Sequence, residues 1–223
     1  GIVDLCGIPK DRYYLYKSYW KPEETTVHIL PHWNWESKAE KVPVFVYTNG
    51  DCAELFLNGK SLGKKCKSPN SLKSTERFRL MWNDVTYQPG ELKAVAYKEG
   101  EKIGEEVLKT AGEPYQIRLT PDRMKIKADG ADLSYVLVEA VDKDGNVCPL
   151  ANNKIELSIS GAGRIAGVGN GNPQSFDSFQ SNYVNLFYGK AMVIIGSGFE
   201  KGDVSLTATS GGLVKDSKAI RTE

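Results

Sequence analysis

The sequence predicts an all-β fold: two antiparallel β-sandwich domains in series, preceded by one short helix. Three observations predict it. A helical period occurs once, in the first 20 residues, where Tyr13, Tyr16 and Trp20 recur at three- and four-residue spacing after Pro9. From residue 27 onward the apolar residues come instead in short runs rich in β-branched and aromatic side chains, each bounded by turn formers. That rhythm breaks at Ala111-Gly112-Glu113-Pro114 and then restarts, giving segments 1–21, 22–112 and 113–223.

A helix this short is marginal alone and needs a surface to cover its apolar side. With no Met at the start of the chain, segment 1–21 is expected to be the end of a domain that begins elsewhere, and the chain a fragment or a processed product. In segment 22–112, strands are expected at 27–30, 42–48, 53–57, 78–82, 92–97 and 107–110. Asn49-Gly50-Asp51, Asn58-Gly59, Pro89-Gly90 and Glu99-Gly100 provide the turns. Pro43 falls near a strand start, where a missing N–H is tolerated. In segment 113–223, strands are expected at 115–120, 133–141, 155–160, 190–195, 204–209 and 213–220, again the pattern of a sandwich.

With 29 basic and 28 acidic residues among 223, the net charge is +1. That balance leaves no electrostatic footprint for nucleic acid or an anionic membrane. No apolar run approaches the roughly 20 residues of a membrane-spanning helix, and no cofactor or metal site is expected. Four cysteines (Cys6, Cys52, Cys66, Cys148) form no Cys-x-x-Cys pair, and only His28 and His32 could join them on zinc. If Asn58-Gly59 is a two-residue hairpin turn, Cys52 faces Lys65, and Cys66 falls one residue past it. A disulfide between Cys52 and Cys66 would then need a bulge or a one-residue slip. Two free cysteines on neighbouring strands is the favoured expectation, with the bridge as the alternative.

His32-Trp33-Asn34-Trp35 is the most suggestive short motif. In an extended segment Trp33 and Trp35 point one way, and His32 and Asn34 the other. Paired indoles could stack on a pyranose while His32 and Asn34 supply hydrogen bonds; core packing of the indoles is the favoured alternative. The glycines from Gly161 to Gly171 lack the spacing of a nucleotide loop and read as a turn between strands. Phe176, Phe179, Tyr183, Phe187 and Tyr188 on the following connection are expected to fold back on the sheet. Asp142-Lys143-Asp144-Gly145-Asn146 reads as a hairpin turn, with partial calcium binding as the alternative. Glu23-Glu24 and Glu105-Glu106 read as solvated surface. No pair of carboxylates suggests itself as a catalytic acid–base couple.

Larger stretches carry a resemblance. Gly1 to Tyr16, then Ile29-Leu30-Pro31-His32-Trp33-Asn34-Trp35 and Glu54-Leu55-Phe56-Leu57-Asn58-Gly59-Lys60-Ser61-Leu62-Gly63, resemble the C-terminal part of bacterial family 2 glycoside hydrolases of the β-galactosidase type. The likeness continues through Pro89-Gly90-Glu91-Leu92-Lys93-Ala94-Val95-Ala96-Tyr97 and Val168-Gly169-Asn170-Gly171-Asn172-Pro173. The resemblance implies that segment 1–21 is a short helical remnant of a (β/α)8 barrel whose two catalytic Glu residues lie upstream. Segment 22–112 would be a β-sandwich accessory domain. Segment 113–223, through its 202–213 run, looks like a bacterial immunoglobulin-like domain. No catalytic residue is then expected here. The parent would hydrolyse terminal β-galactosides or related β-glycosides in the periplasm or outside the cell. This region would brace the barrel of the same polypeptide through the Tyr13/Tyr16/Trp20 face, with His32, Trp33, Asn34 and Trp35 bordering a β-linked oligosaccharide. Two rival readings are an independent carbohydrate-binding module using Trp33 and Trp35, and a surface adhesion or spacer protein.

Overall fold

The computed structural model describes residues 1–35 and 41–223. The chain divides into two compact units, Gly1–Val3 with Pro9–Thr110 and Asp4–Ile8 with Ala111–Glu223. Strands dominate both. Among the described residues no helix is long and apolar enough to cross a membrane.

The first unit opens with helix α1 (Asp11–Trp20), followed by β1 (Val27–Leu30), β2 (Lys41–Thr48), β3 (Cys52–Leu57) and β4 (Lys60–Cys66). A short α2 (Ser74–Phe78), then β5 (Leu80–Thr86), β6 (Glu91–Lys98) and β7 (Glu101–Lys109) complete it. Two antiparallel sheets form, ordered β1-β2-β5 and β4-β3-β6-β7. Alternate residues of each face inward. Ile29, Val44, Val46, Leu80 and Trp82 of one sheet share a core with Ala53, Leu55, Leu57, Leu92 and Ala94 of the other. Pro43 sits where the β2–β5 register shifts, so its missing N–H interrupts no regular ladder.

Three strands depart from expectation. Segment 78–82 is split, because residues 74–78 take a helical turn before β5 begins. Strand β7 starts six residues earlier than its apolar end suggests, at Glu101. Strand β4 is almost wholly exposed and lysine-rich, so it has no apolar signal to read; lysines on an edge strand also discourage pairing with another chain.

The β3–β4 hairpin corrects the cysteine expectation. Asn58 (φ 49°) and Gly59 (φ 79°) both take the left-handed conformation of a type I′ turn. A bulge between Glu54 and Phe56 then shifts the register, bringing Cys52 opposite Cys66 rather than Lys65. The two are joined as a disulfide, with Cα atoms 4.0 Å apart. Cys6 and Cys148 remain free.

The second unit contains β8 (Gln116–Pro121), β9 (Lys125–Ile126), β10 (Leu133–Val141), β11 (Lys154–Gly161) and β12 (Gly163–Gly169). It continues through β13 (Tyr183–Asn185), β14 (Lys190–Ser197), β15 (Gly202–Thr209) and β16 (Asp216–Thr222). Its sheets run β12-β14-β10-β8 and β13-β11-β15-β16-β9, antiparallel except where β9 meets β16. Val136, Val138, Val193 and Ile195 of one sheet pack with Ile155, Leu157, Val204, Leu206 and Ile220 of the other. The glycine-rich run expected as a turn is itself a strand, β12, paired with β14. Four of its seven residues are glycine or alanine, so few side chains could announce it.

The disulfide ties an edge strand to the core of the first unit across a 14-residue separation. Closing a loop of that size removes unfolded-chain entropy equivalent to about 3 kcal/mol. Urea unfolding of a Cys52→Ala/Cys66→Ala chain should therefore show the first unit weakened by about 2–3 kcal/mol and the second unchanged. Equal stability of the first unit would mean the bridge constrains nothing.

Candidate functional site

The chain leaves β1 through Pro31, and residues 31–35 follow in no regular strand. Trp33 turns inward and is 1% exposed. Its Nε1 donates to the Gln88 carbonyl (3.0 Å), its own carbonyl accepts from Thr110 Oγ1 (2.8 Å), and Tyr87 packs edge-on against it at 5.2 Å. An indole this buried, with its N–H paired and a ring packed against it, is a core residue. The period-two alternation does not occur here: Trp35 stacks on the His32 ring (5.0 Å, 21°) and donates from Nε1 to the His32 carbonyl. Asn34 donates its backbone N–H to His32 Nδ1 at 3.3 Å. Burial holds the His32 imidazole below its usual pKa, Asp11 opposing it. Of the four motif residues, His32, Asn34 and Trp35 keep partial exposure and Trp33 has no open face.

A second cluster, legible only in three dimensions, lies where α1 meets the same sandwich. Asp11 and Tyr14 on α1, His28 on β1 and Glu106 on β7 converge. His28 Nε2 donates to Asp11 Oδ1 (2.9 Å), and the Tyr14 ring lies flat on the imidazole (3.9 Å between centroids, 16°). Glu106 faces His28 Nδ1 with one carboxylate oxygen at 3.5 Å and accepts the Ile29 N–H with the other. Glu106 is thus a half-buried anchor and not solvated surface. Ser18, one turn after Tyr14, is buried on the same face of α1. Further along, Asn49 clamps the connection to β1, accepting from Thr26 N–H and donating to the carbonyls of Pro22 and Glu24.

The opposite side of α1 carries Tyr16 and Trp20, stacked at 4.7 Å, with Trp20 70% exposed. Beside them Tyr19 meets Phe78 of α2 edge-on (5.2 Å) and lies under the Lys67 ammonium (4.8 Å). Burial pushes the Lys67 amine down to about 8, Asp51 opposing, while its Nζ donates to the Thr48 carbonyl.

In the second unit the acidic turn is the hairpin turn expected, held together by Asp142. Its carboxylate accepts from the backbone N–H groups of Gly112 (2.8 Å), Asn146 (2.8 Å) and Asp144 (3.0 Å) and from the Asn146 amide. Burial works against its charge, but these donors outweigh burial and hold the carboxyl below its usual range. Asp4 plays a similar part, accepting from Cys6 and Ile8 N–H groups. It also abuts Gly171, whose φ of 73° and closeness to Asp4 (2.0 Å from a Cβ position) exclude a side chain. Phe176, Phe179 and Tyr188, expected to fold back, stand open to solvent. Among the described residues no group of three His, Cys, Asp or Glu side chains is placed to hold a metal ion.

Both units recur in known proteins. Residues 117–218 match the glycoside hydrolase family 2 C-terminal domain 5, and residues 39–104 match a domain of unknown function (DUF4982). The β-galactosidase BoGH2A of Bacteroides ovatus is 44% identical over 96% of the chain, which corresponds to 24% of that enzyme. A putative β-glucuronidase of Formosa agariphila is 32% identical over 87% of the chain and 19% of its own length. In a crystal structure of a β-glycosidase from Bacteroides vulgatus, 28% of that chain superposes on all of this one with a TM-score of 0.91 at 34% identity. The chain therefore belongs to the family 2 glycoside hydrolases, as part of their C-terminal region. It spans about a quarter of the length of these relatives.

Because Trp33 is a core indole, removing it should act on stability first. Trp33→Ala should cost the first unit about 3–5 kcal/mol in chemical denaturation, and Trp35→Ala distinctly less. A Trp33→Ala chain of undiminished stability would return this residue to the surface.

Proposed function

We propose that this chain is the accessory region of a retaining β-glycoside hydrolase and holds the catalytic barrel of the same polypeptide against the outer face of α1. The observation that carries the reading is the Tyr16–Trp20 stack, open to solvent on a helix whose opposite face is fixed by Tyr14 and Ser18. A contiguous aromatic surface of this kind marks an interaction site. The relatives supply the occupant, since this region is a small share of each of them. In this reading α1 is the barrel's last helical segment. The barrel carries both catalytic Glu residues, one attacking the anomeric carbon and the other protonating the leaving oxygen.

Terminal β-galactosides are the substrate class the likeness to BoGH2A favours, with β-glucuronides the alternative from the second relative. His32, Asn34 and Trp35 would border the aglycone side, with Trp33 supporting them from within the core. An independent carbohydrate-binding module resting on both indoles is less well supported, because Trp33 offers no face to a sugar. The second unit would serve as an immunoglobulin-like spacer. The Cys52–Cys66 bridge supports a periplasmic or secreted setting, where disulfides persist.

The test uses the upstream part of the gene expressed separately and assayed on chromogenic β-galactoside and β-glucuronide. Adding this chain should slow thermal inactivation of that activity, and a Tyr16→Ser/Trp20→Ser chain should protect far less. Equal protection by the substituted chain would remove α1 from the brace. Turnover by this chain alone, lost on changing one carboxylate, would overturn the reading entirely.

A further inference from the structure

We propose that His28 is a proton-operated latch, fastening α1 to the first sandwich when doubly protonated and loosening it when neutral. The geometry is asymmetric in a telling way. A neutral imidazole has one N–H donor and one lone-pair acceptor. His28 Nε2 is already committed to donating to Asp11. Its Nδ1 is buried with no hydrogen-bond partner, and Glu106 Oε1 stands 3.5 Å away. Glu106 cannot easily turn aside, because its other oxygen holds the Ile29 N–H.

In the neutral ring, then, the Nδ1 lone pair faces a carboxylate. A second proton turns that repulsion into attraction, and both ring nitrogens then point N–H groups at carboxylates, one from α1 and one from β7. The flat Tyr14 ring also favours a cation over its face. Helix α1 presents Asp11 and Tyr14, with Lys17 near the Tyr14 hydroxyl. Strand β2 presents Tyr47, 6.4 Å away between ring centroids, flanked by Arg12 and Arg79. Strand β7 presents Glu106.

Burial disfavours charge on His28, but the two carboxylates outweigh burial and raise its pKa above the ordinary 6.5. A raised value fixes the sign. The contribution to α1 docking is complete below 6.5 and is lost as pH rises through the folded-state value. The latch is therefore closed below that folded-state value and opens above it. It needs nothing from the barrel, so it stands whether or not α1 braces one.

The test is hydrogen exchange with intrinsic rates corrected, on the whole chain from about pH 6 to about pH 9, alongside NMR titration of both histidine rings. The expected result is a loss of protection confined to α1, with β3 and β6 amides unchanged and the midpoint matching that of His28. Glu106→Gln should move both midpoints to lower pH together. His28→Gln should abolish the pH dependence of α1. Should His28→Gln fail to fold, the coincidence of midpoints in the wild-type and Glu106→Gln chains decides. Protection of α1 that stays flat across the His28 titration, or that changes at a different pH, overturns the latch.

Discussion

A ten-residue helix has little stability of its own in water, so the position of α1 is set by what its inner face meets. That face sets Asp11 and Tyr14 against the largely covered His28 imidazole, which Glu106 faces from β7. Everything proposed for the first unit depends on this docking. With α1 fixed, Tyr16 and Trp20 face outward as a rigid pair; without it they would belong to a fraying segment, and an interface built on them would first have to order the helix.

Carboxylates gathering backbone donors also organise the second unit. Asp142 holds its hairpin turn and reaches Gly112; Asp4 holds the Asp4–Ile8 loop next to Gly171. Each satisfies several N–H groups that an irregular connection would otherwise leave unpaired. Oxygen-rich turns of this sort imitate a calcium loop in sequence. In this turn the central carboxylate is engaged by three backbone N–H groups and the Asn146 amide, which is what a hairpin turn asks of it.

Most of the fold was legible because most strands bury alternate apolar residues, and Asn58-Gly59 announces its turn through a conformation few other pairs tolerate. What escaped had a physical reason in each case. Strand β4 is an exposed edge rich in lysine, and β12 is largely glycine and alanine, so neither shows a burial pattern. The disulfide hinged on one bulged residue, which spacing alone cannot reveal. His28, Asp11 and Glu106 lie far apart in sequence on three elements, and no local motif joins them. The tryptophan motif was visible, but its meaning was not. Trp33 departs from period two because the chain bends as it leaves β1, sending one indole into the core and stacking the other on His32.

The relatives that this chain matches are longer enzymes in which it corresponds to the C-terminal region, and the central claim proposed here is that the outer face of α1 is covered in such a parent. Covalent labelling of Trp20 in the full-length enzyme, compared with the same residue in this chain alone, tests that claim most directly. The account predicts that Trp20 reacts readily in the chain and is protected in the whole enzyme, while exposed Phe199 of the second unit labels equally in both. Equal labelling of Trp20 in the two would contradict it.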